Sequence, residues 1–442
     1  MKGRDTIFIT VGEWFVLRNV LKTSFFSHLR ERLPDTHIVF IVEYGKRSIY
    51  EPQLVHFGNA SIEEASNPKE ISFFEKSIAF LARNGLHTGV NEVLQHRAWQ
   101  EGESRIPPLL KRWFGKVFGR SKAFQHYVRM LEMRVSPHAH TAELFAKYNP
   151  TLVFGTTLIN SQVDVPILRE GLRRGIRTVA MTRSWDNLSG SGFLRIIPDR
   201  FFVQNKHLFE MARDVHFVPT EKMVLFGIPH YDFNFDMSLR QSRETFCADL
   251  GIDPKKKIVL YAAVGTAVFR KEAEMVEVLS GLIENSSIPN AHCIFRLHPA
   301  FPMSVSASPY VTVEMGEQLH AIPRLINSLV HADVVVTVGS SMIIDASVLG
   351  TPVVSIAFDG ASGPDAYWYS TKCFYDYFPT SVLLHSGAVR VVENKEGLAK
   401  EVSAYFLDCS ADEEERKKII ERFAEPYDGK AGERLADLVA NS

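Results

Sequence analysis

Short apolar runs rich in β-branched residues alternate with amphipathic stretches along most of this 442-residue chain. The alternation is typical of domains in which helices cover both faces of a parallel sheet. Strands are predicted at Thr6–Val11, His37–Val42, 151–154, Arg177–Met181, 201–203, 223–226, Lys257–Ala262, 293–297, Val311–Glu314, 334–338, Val353–Ile356 and Val389–Val392. Helices are predicted at 18–32 and 163–174, and between the later strands. The sequence therefore predicts an α/β protein built from doubly wound domains.

The chain is too long for a single hydrophobic core and suits two or three domains. Segment 227–232, which contains a glycine and a proline, interrupts the alternation, and a new series of strands starts at Lys257. We therefore predict an N-terminal domain over 1–235, with a mainly helical insertion near 70–148, and a C-terminal domain over 236–442. Two such domains would face each other across a cleft, which is a favoured place for a ligand.

Composition excludes several classes of protein. The net charge of −1 gives no indication of nucleic-acid binding. The four cysteines are scattered without a C-x-x-C pair, which predicts neither a disulfide framework nor a zinc site and favours a reducing compartment. We find no apolar run of about 18 residues that would cross a membrane, and the run at 7–11 is too short for a signal peptide. We therefore expect a cytoplasmic protein.

Segment 333–354 contains the most informative turn. A β-branched strand leads into Gly339-Ser340-Ser341, and a helix and a Gly-Thr-Pro turn follow. Backbone N–H groups and the dipole at the start of a helix suit phosphate groups. Ser340 and Ser341 could cap the helix and donate to an oxygen, and Asp345 could accept from ribose hydroxyls. An ordinary βα turn with a serine cap would give the same pattern, so the structural alternative stays open.

Two more clusters follow predicted strands of the second domain. Gly265 would allow close approach to a ligand, and Thr266 and Arg270 could contact a phosphate. Arg296 and His298 lie at the carboxyl end of the next strand, where open α/β sheets place their ligands. An arginine and a histidine together suit an anion, and histidine can also move a proton. A solvated basic loop and a hydrogen-bonded histidine are the structural alternatives.

The first domain offers candidate carboxylates for acid–base chemistry. Glu13 follows the first strand and could act as a base toward an acceptor hydroxyl. Asp186 lies in a Ser/Gly-rich loop beside Trp185 and Asn187, which could stack on a sugar ring and bond its hydroxyls, or anchor and turn the loop. Asp164 is a rival whose favoured explanation is an interaction with a helix dipole.

Segment 109–122 interleaves lysine and arginine with tryptophan and phenylalanine and contains no acidic residue. An interfacial surface on an anionic membrane has this composition. A core-facing helix whose basic side chains reach out to solvent has it too. The segment does not have the features of a nucleic-acid site. The inner face of a membrane is therefore a possible location for this protein.

Taken together, these motifs resemble those of GT-B glycosyltransferases, in particular the CDP-glycerol glycerophosphotransferase-like and bacterial surface-polysaccharide transferases. The turn 296–299 is similar to that group's basic-x-His-Pro signature. The turn with Ser340 and Ser341, followed by Asp345 and 350–352, is similar to the donor-binding strand and helix. Segments 261–266, 184–187, 227–232 and 428–434 also resemble the group, although the proline expected after Tyr261-Ala262 is absent. The resemblance covers mainly 151–435.

The resemblance implies two Rossmann-like domains and a metal-independent transfer of a sugar from a nucleotide-sugar donor. The acceptor would be a hydroxyl of a glycan or lipid-linked glycan in surface polysaccharide synthesis. The donor would be a substrate, with no cofactor and no metal. By the same resemblance Asp345 would hold the ribose. From the residues themselves we expect Arg296, His298 and the helix start at Ser340-Ser341 to take up the charge of the leaving group. We expect Glu13, or in second place Asp186, to be the base.

Three alternatives stay open. A related transferase would move glycerol phosphate or another polyol phosphate from a CDP donor. A nucleotide-sugar epimerase or hydrolase would glycosylate no acceptor. A silent binding partner in a polysaccharide complex would catalyse nothing.

Overall fold

The structure is a computed structural model, and it describes residues 5–54, 58–159, 161–266, 268–299, 301, 303–315, 322–377 and 379–442. The chain forms two compact units. The first comprises Met1–Asp232 together with Glu425–Ser442, and the second comprises Phe233–Ala424. The domain boundary predicted at 235 lies close to the first crossing of the chain, but the residues after 424 pack with the first unit.

The first unit contains a seven-stranded parallel sheet in the part of the chain that the structure describes, with the order β3-β2-β1-β4-β5-β6-β7. The strands are β1 (Thr6–Val11), β2 (His37–Val42), β3 (Ala60–Glu64), β4 (Leu152–Gly155), β5 (Arg177–Met181), β6 (Arg200–Val203) and β7 (Met223–Leu225). Every residue of β1 is buried. Burial on both faces is what helices on both sides of a parallel sheet produce, and it explains the continuous apolar run.

The helices of the first unit follow the strands and also form the predicted insertion. They are α1 (Trp14–Val16), α2 (Ser24–Arg32), α3 (Arg47–Leu54), α4 (Phe73–Asn84), α5 (Gly89–Gln100), α6 (Pro108–Phe118), α7 (Lys122–Glu132), α8 (Ala139–Tyr148), α9 (Asp164–Arg173), α10 (Lys206–Asp214) and, at the end of the chain, α19 (Ala431–Ala440). The single helix predicted over 18–32 is interrupted by a π-helical turn, Leu17–Leu21. Thr23 then starts α2, because its hydroxyl accepts from the Phe25 N–H.

A buried ion cluster anchors the insertion. Arg169 of α9 pairs with Glu132 of α7 at 2.5 Å and with Glu75 of α4 at 3.0 Å. Arg195 reaches the second oxygen of Glu132 at 3.0 Å. Buried charges are tolerated when each has an opposite partner. The cluster therefore fixes α4 and α7 against a helix that covers the sheet.

Hydrogen bonds to Asp232 hold the C-terminal helix against the first unit. The carboxylate of Asp232 accepts from the backbone N–H groups of Ala431 at 3.0 Å and Gly432 at 2.8 Å. Arg434 donates to the carbonyl of Phe226 at 2.8 Å. These contacts correct the assignment of the last residues to the second domain, and they join segments 227–232 and 428–434, which the sequence analysis singled out separately.

The second unit contains a six-stranded parallel sheet in the described residues, with the order β10-β9-β8-β11-β12-β13. The strands are β8 (Lys257–Ala262), β9 (Ala291–Arg296), β10 (Val311–Glu314), β11 (Val334–Thr337), β12 (Val353–Ile356) and β13 (Val389–Val392). The helices are α11 (Arg243–Leu250), α12 (Glu274–Glu284), α13 (Ile322–His331), α14 (Met342–Val348), α15 (Thr371–Asp376), α16 (Thr380–Leu384), α17 (Lys395–Leu407) and α18 (Glu413–Phe423). Both sheets confirm the predicted α/β class. No helix in the described ranges is long and apolar enough to span a bilayer.

Candidate functional site

The carboxyl ends of β8, β9 and β11 lie side by side at one edge of the second sheet. Ala262 of β8 pairs with Arg296 of β9 on one side and with Thr337 of β11 on the other. The strand order reverses between β8 and β11. Ligands of open α/β sheets bind beside the carboxyl ends of the strands at such a reversal. Three of the predicted clusters therefore start from one edge, and we call it the β8–β11 edge.

At this edge Ser340, not Ser341, caps helix α14. The Ser340 hydroxyl accepts from the Met342 N–H at 3.2 Å and lies 3.1 Å from the Thr337 hydroxyl. Ser341 makes no capping hydrogen bond through its side chain and is exposed. Gly339 has a φ of +142°, and a Cβ there would lie 2.8 Å from the methyl group of Thr380. The turn thus requires glycine, and it leaves the Ser341 hydroxyl accessible from solvent.

Asp345 lies one helical turn after Ser341. Residues four apart share one side of a helix, so its carboxylate lies on the same side as the Ser341 hydroxyl. The neighbours Ile343, Ile344 and Ala346 are buried, whereas Asp345 is half-buried. Asp345 therefore lies close to the start of α14, on the side that carries the exposed Ser341 hydroxyl.

The loop after β8 is held by a buried carboxylate that the sequence analysis missed. Glu272 accepts from the backbone N–H groups of Val264 and Gly265, each at 2.6 Å, and from the Tyr261 hydroxyl at 3.3 Å. Burial raises the pKa of Glu272 to about 7, against the opposing effect of these hydrogen bonds. The N–H of Gly265 therefore donates within the loop itself.

Gly265 is also required for the shape of this loop. Its φ is +94°, and a Cβ would overlap the ring of Phe301. Thr266 follows at a half-buried position. Only a residue without a side chain suits both the conformation and the close approach to Phe301.

Arg270 is exposed and contacts a tyrosine of the segment after β12. Its guanidinium lies over the ring of Tyr369, with the central carbon 3.3 Å from the ring centroid. Lys271 donates to the Ser362 hydroxyl at 2.8 Å and to the carbonyl of Gly363. These contacts tie the loop after β8 to the segment after β12, so the basic pair braces the β8–β11 edge.

Arg296 is also committed to a structural contact. Its side chain is buried and forms an ion pair with Glu314 of the neighbouring strand β10 at 2.8 Å. Arg324 approaches the other oxygen of Glu314 at 3.1 Å. The charge of Arg296 is thus matched inside the sheet, which corrects its expected role as a phosphate ligand.

His298 follows β9 by two residues and is half-buried beside Phe301, with ring centroids 5.0 Å apart. Burial lowers the pKa of His298 below its ordinary value of 6.5. The imidazole is therefore mainly neutral near pH 7. A neutral imidazole at the end of a strand can accept a proton from a hydroxyl or donate a hydrogen bond to a phosphate oxygen.

In the first unit, Glu13 is not a lone carboxylate. It forms an ion pair with Arg183, which follows β5. Burial lowers the pKa of Arg183, and the charge of Asp186 opposes that effect. An ion pair stabilises the carboxylate and makes it a weaker proton acceptor. The base role expected for Glu13 is therefore not what its contacts favour.

The Ser/Gly-rich loop of the first unit follows the structural alternative. Asp186 is exposed and accepts from the Ser184 hydroxyl at 2.6 Å. Asn187 accepts from the Arg183 N–H at 3.3 Å. Both side chains form hydrogen bonds within the loop, as the structural alternative expects. Asp164 is fully buried and accepts from the N–H groups of Thr157 and Leu158, so it also holds a loop.

Comparison with protein families gives one match that covers more than half of the chain. The family described as CDP-Glycerol:Poly(glycerophosphate) glycerophosphotransferase matches residues 184–441. The comparison with curated proteins gave no match. The family match includes the whole of the second unit and therefore the β8–β11 edge.

Solved structures with the same fold cover nearly the whole chain. A glycosyltransferase from Rickettsia africae ESF-5 has 12% identity and a TM-score of 0.51, over 99% of this chain and 98% of that one. UDP-GlcNAc 2-epimerase from Neisseria meningitidis, bound to UDP-GlcNAc, has 10% identity and a TM-score of 0.54 over 99% of both chains. The wall teichoic acid polymerase TagF, soaked with CDPG, has 11% identity and a TM-score of 0.52, over 100% of this chain and 89% of that one.

Such low identities establish the fold alone, whereas the family match establishes the relationship. Two parallel sheets with flanking helices and these neighbours confirm the expected GT-B architecture. The chain belongs to the CDP-glycerol:poly(glycerophosphate) glycerophosphotransferase family and is a transferase of GT-B fold.

Proposed function

We propose that the protein transfers a polyol phosphate, such as glycerol phosphate, from a CDP-linked donor to a hydroxyl group. The observation that carries the proposal is the family match over 184–441, which includes the complete second sheet. The sequence motifs alone favoured a sugar donor over this reaction. The family match favours this reaction, because the matching family is described by CDP-glycerol and not by a nucleotide sugar.

In this reaction the acceptor oxygen attacks the phosphorus atom that carries the polyol. A new P–O bond forms, and the bond between that phosphorus and the oxygen of CMP breaks. CMP leaves with the electron pair of the broken bond, and the acceptor hydroxyl loses its proton. The products are a phosphodiester and CMP, and the step needs no oxidant or reductant.

We assign the nucleotide to the second unit. Asp345 accepts from the ribose hydroxyls, and the Ser341 hydroxyl donates to a phosphate oxygen. His298, neutral because burial lowers its pKa, takes the proton of the acceptor hydroxyl. Ser340 and Glu272 shape the two loops and do not contact the donor. Metal ions and cofactors have no part in the proposal.

We assign the acceptor to the first unit, and we propose a hydroxyl-bearing polymer, either a poly(glycerophosphate) chain or a lipid-linked glycan. The family description names poly(glycerophosphate), which is a chain of hydroxyl-bearing units. A sugar donor stays the second candidate, since Asp345 would suit the ribose of any nucleotide donor. The two donors differ in the bond that breaks, and the product therefore separates them.

The test is to incubate the purified protein with CDP-glycerol and a synthetic glycerol phosphate oligomer. We expect CMP and a lengthened oligomer in equal amounts. UDP-GlcNAc serves as the parallel donor, and its transfer would release UDP. Release of UDP with sugar on the acceptor would replace the proposed donor by a nucleotide sugar. Free sugar would indicate an epimerase or hydrolase, and absence of turnover with both donors would contradict the proposal.

A further inference from the structure

Helix α6 presents an apolar stripe to solvent. Leu109, Trp113 and Val117 are 71%, 62% and 50% exposed, and Leu110 beside them is 59% exposed. The first three are spaced by four residues and therefore lie on one side of the helix. A core-facing helix would bury these side chains. The exposures exclude that alternative for this side of α6.

The opposite side of the same helix is the one that packs. The ring centroids of Phe114 and Phe118 are 4.8 Å apart. The ring of Phe118 also lies 5.0 Å from that of Phe124 in α7, which Phe114 contacts as well. Gly115 is buried against the backbone of Asn84. Helix α6 is therefore fixed to the insertion by one side, and its large apolar residues on the other side are left uncovered within the first unit.

Basic residues border the apolar stripe. Residues 104–131 contain seven lysines and arginines and no acidic residue. Arg112 pairs with Glu92 at 3.0 Å, and Lys111 donates to Ser104. Lys116, Arg120 and Lys122 are exposed and form no ion pair within the described ranges. Their charges are therefore available to an external anion.

We propose that this surface, which we call the α6 face (Leu109, Leu110, Trp113, Lys116, Val117 and Arg120), docks on an anionic lipid bilayer. Apolar side chains flanked by lysine and arginine are the pattern of helices that lie in the membrane interface. Tryptophan favours the headgroup level, where its apolar ring can be buried while its N–H group bonds to water or headgroups. The inference stands apart from the donor chemistry, because it uses only residues of the insertion.

The dimensions of α6 suit a helix that lies on the surface. Its eleven residues are about 16 Å long, half of the thickness of a hydrocarbon core. A second copy of the chain is a poorer occupant, because two surfaces of the same positive charge repel. The negative charge of lipid headgroups complements the basic residues, and the acyl chains would bury the apolar stripe.

The test is flotation of the full-length protein with vesicles of phosphatidylcholine, alone or mixed with phosphatidylglycerol. We expect the protein to bind to the mixed vesicles, and we expect added salt to weaken this binding. Each basic residue near the surface contributes about 1 kcal/mol, or about fivefold in the partition coefficient. The double variant Lys116→Gln/Arg120→Gln should therefore bind about 25-fold more weakly, and Trp113→Gln should also bind more weakly. Leu407→Gln, at a residue 90% exposed in the second unit, is the matched control and should bind as the wild type does.

Equal binding of the wild type and the double variant would overturn the inference, and so would a wild type that stays with the bulk solution. Turnover of CDP-glycerol on a dissolved acceptor should be unchanged in the variants, which shows that they are folded. If neither the wild type nor any variant turned over CDP-glycerol, the proposed reaction would be contradicted. The binding to vesicles would still test the membrane contact independently.

Discussion

Replacement of His298 by alanine is expected to lower kcat by about 10²–10⁴-fold, the contribution of a positioned acid–base group. The reason is its place at the carboxyl end of β9, on the edge where β8, β9 and β11 meet. The thermal midpoint should change little, because His298 is only half-buried. Steady-state rates of CMP release from CDP-glycerol measure the effect.

The matched control is His292→Ala, at the other end of the same strand. His292 forms a hydrogen bond with Thr312 at 2.8 Å and lies far from the carboxyl edge. Its loss should cost stability and leave kcat unchanged. The wild-type enzyme should stay active below pH 6.5, because burial lowers the pKa of His298 and keeps the imidazole neutral. An unchanged kcat in His298→Ala would remove this residue from the reaction.

Replacement of Glu272 by glutamine is expected to change how stability depends on pH. Burial raises the pKa of Glu272 from the ordinary 4.5 to about 7 in the folded protein. Between these two values the folded state binds more protons than the unfolded state, so stability falls as the pH rises. A shift of this size corresponds to about 3 kcal/mol. Glutamine does not titrate, and the variant should lose this slope.

Below pH 4.5 the variant should be less stable than the wild type by about 1 kcal/mol, because its amide offers one acceptor oxygen to the N–H groups of Val264 and Gly265. The difference should close and then reverse as the pH rises, because the wild type loses about 3 kcal/mol over this range, and near pH 7 the variant should be the more stable protein by about 2 kcal/mol. Denaturant titrations across this range measure it. Glu277→Gln, exposed on the helix α12 that follows Glu272, is the control and should keep the wild-type slope. The same slope in Glu272→Gln would show that another group titrates.

Strands with uniform apolar runs were predictable from the sequence. Thr6–Val11, Lys257–Ala262 and Val353–Ile356 have the predicted bounds, since burial on both faces demands continuous β-branched and aromatic residues. Strand β3, Ala60–Glu64, was missed. It lies at the edge of the first sheet, all of its residues are half-buried, and its polar sequence carries no such signal.

The position of the candidate site could be predicted from the order of strands and helices. The residues that its side chains contact could not be predicted in this way. Three clusters after predicted strands lie at one edge, because the carboxyl ends of parallel strands point the same way. Arg296 was misjudged, because Glu314 comes from another element and only the fold brings it close. The contact of Arg270 with Tyr369 was hidden for the same reason. The ion pair between Glu13 and Arg183 was hidden for the same reason, because the two residues are far apart in the sequence.

Glu272 was overlooked for a different reason. Beside Arg270 and Lys271 it has the composition of a solvated loop, and only its burial distinguishes it. The return of α19 to the first unit was equally hidden, since it rests on hydrogen bonds from two backbone N–H groups to Asp232. A sequence pattern records periodicity, whereas such contacts depend on where distant segments meet.

The central claim is that the β8–β11 edge of the second unit binds the nucleotide of the donor. A calorimetric titration of CDP into the wild type, Asp345→Asn and the exposed control Asp249→Asn tests it most directly. We predict saturable binding to the wild type and the control, and about tenfold to hundredfold weaker binding to Asp345→Asn, as expected for lost hydrogen bonds to a charged group. Equal affinity of all three proteins, or no heat of binding with the wild type, would contradict the account.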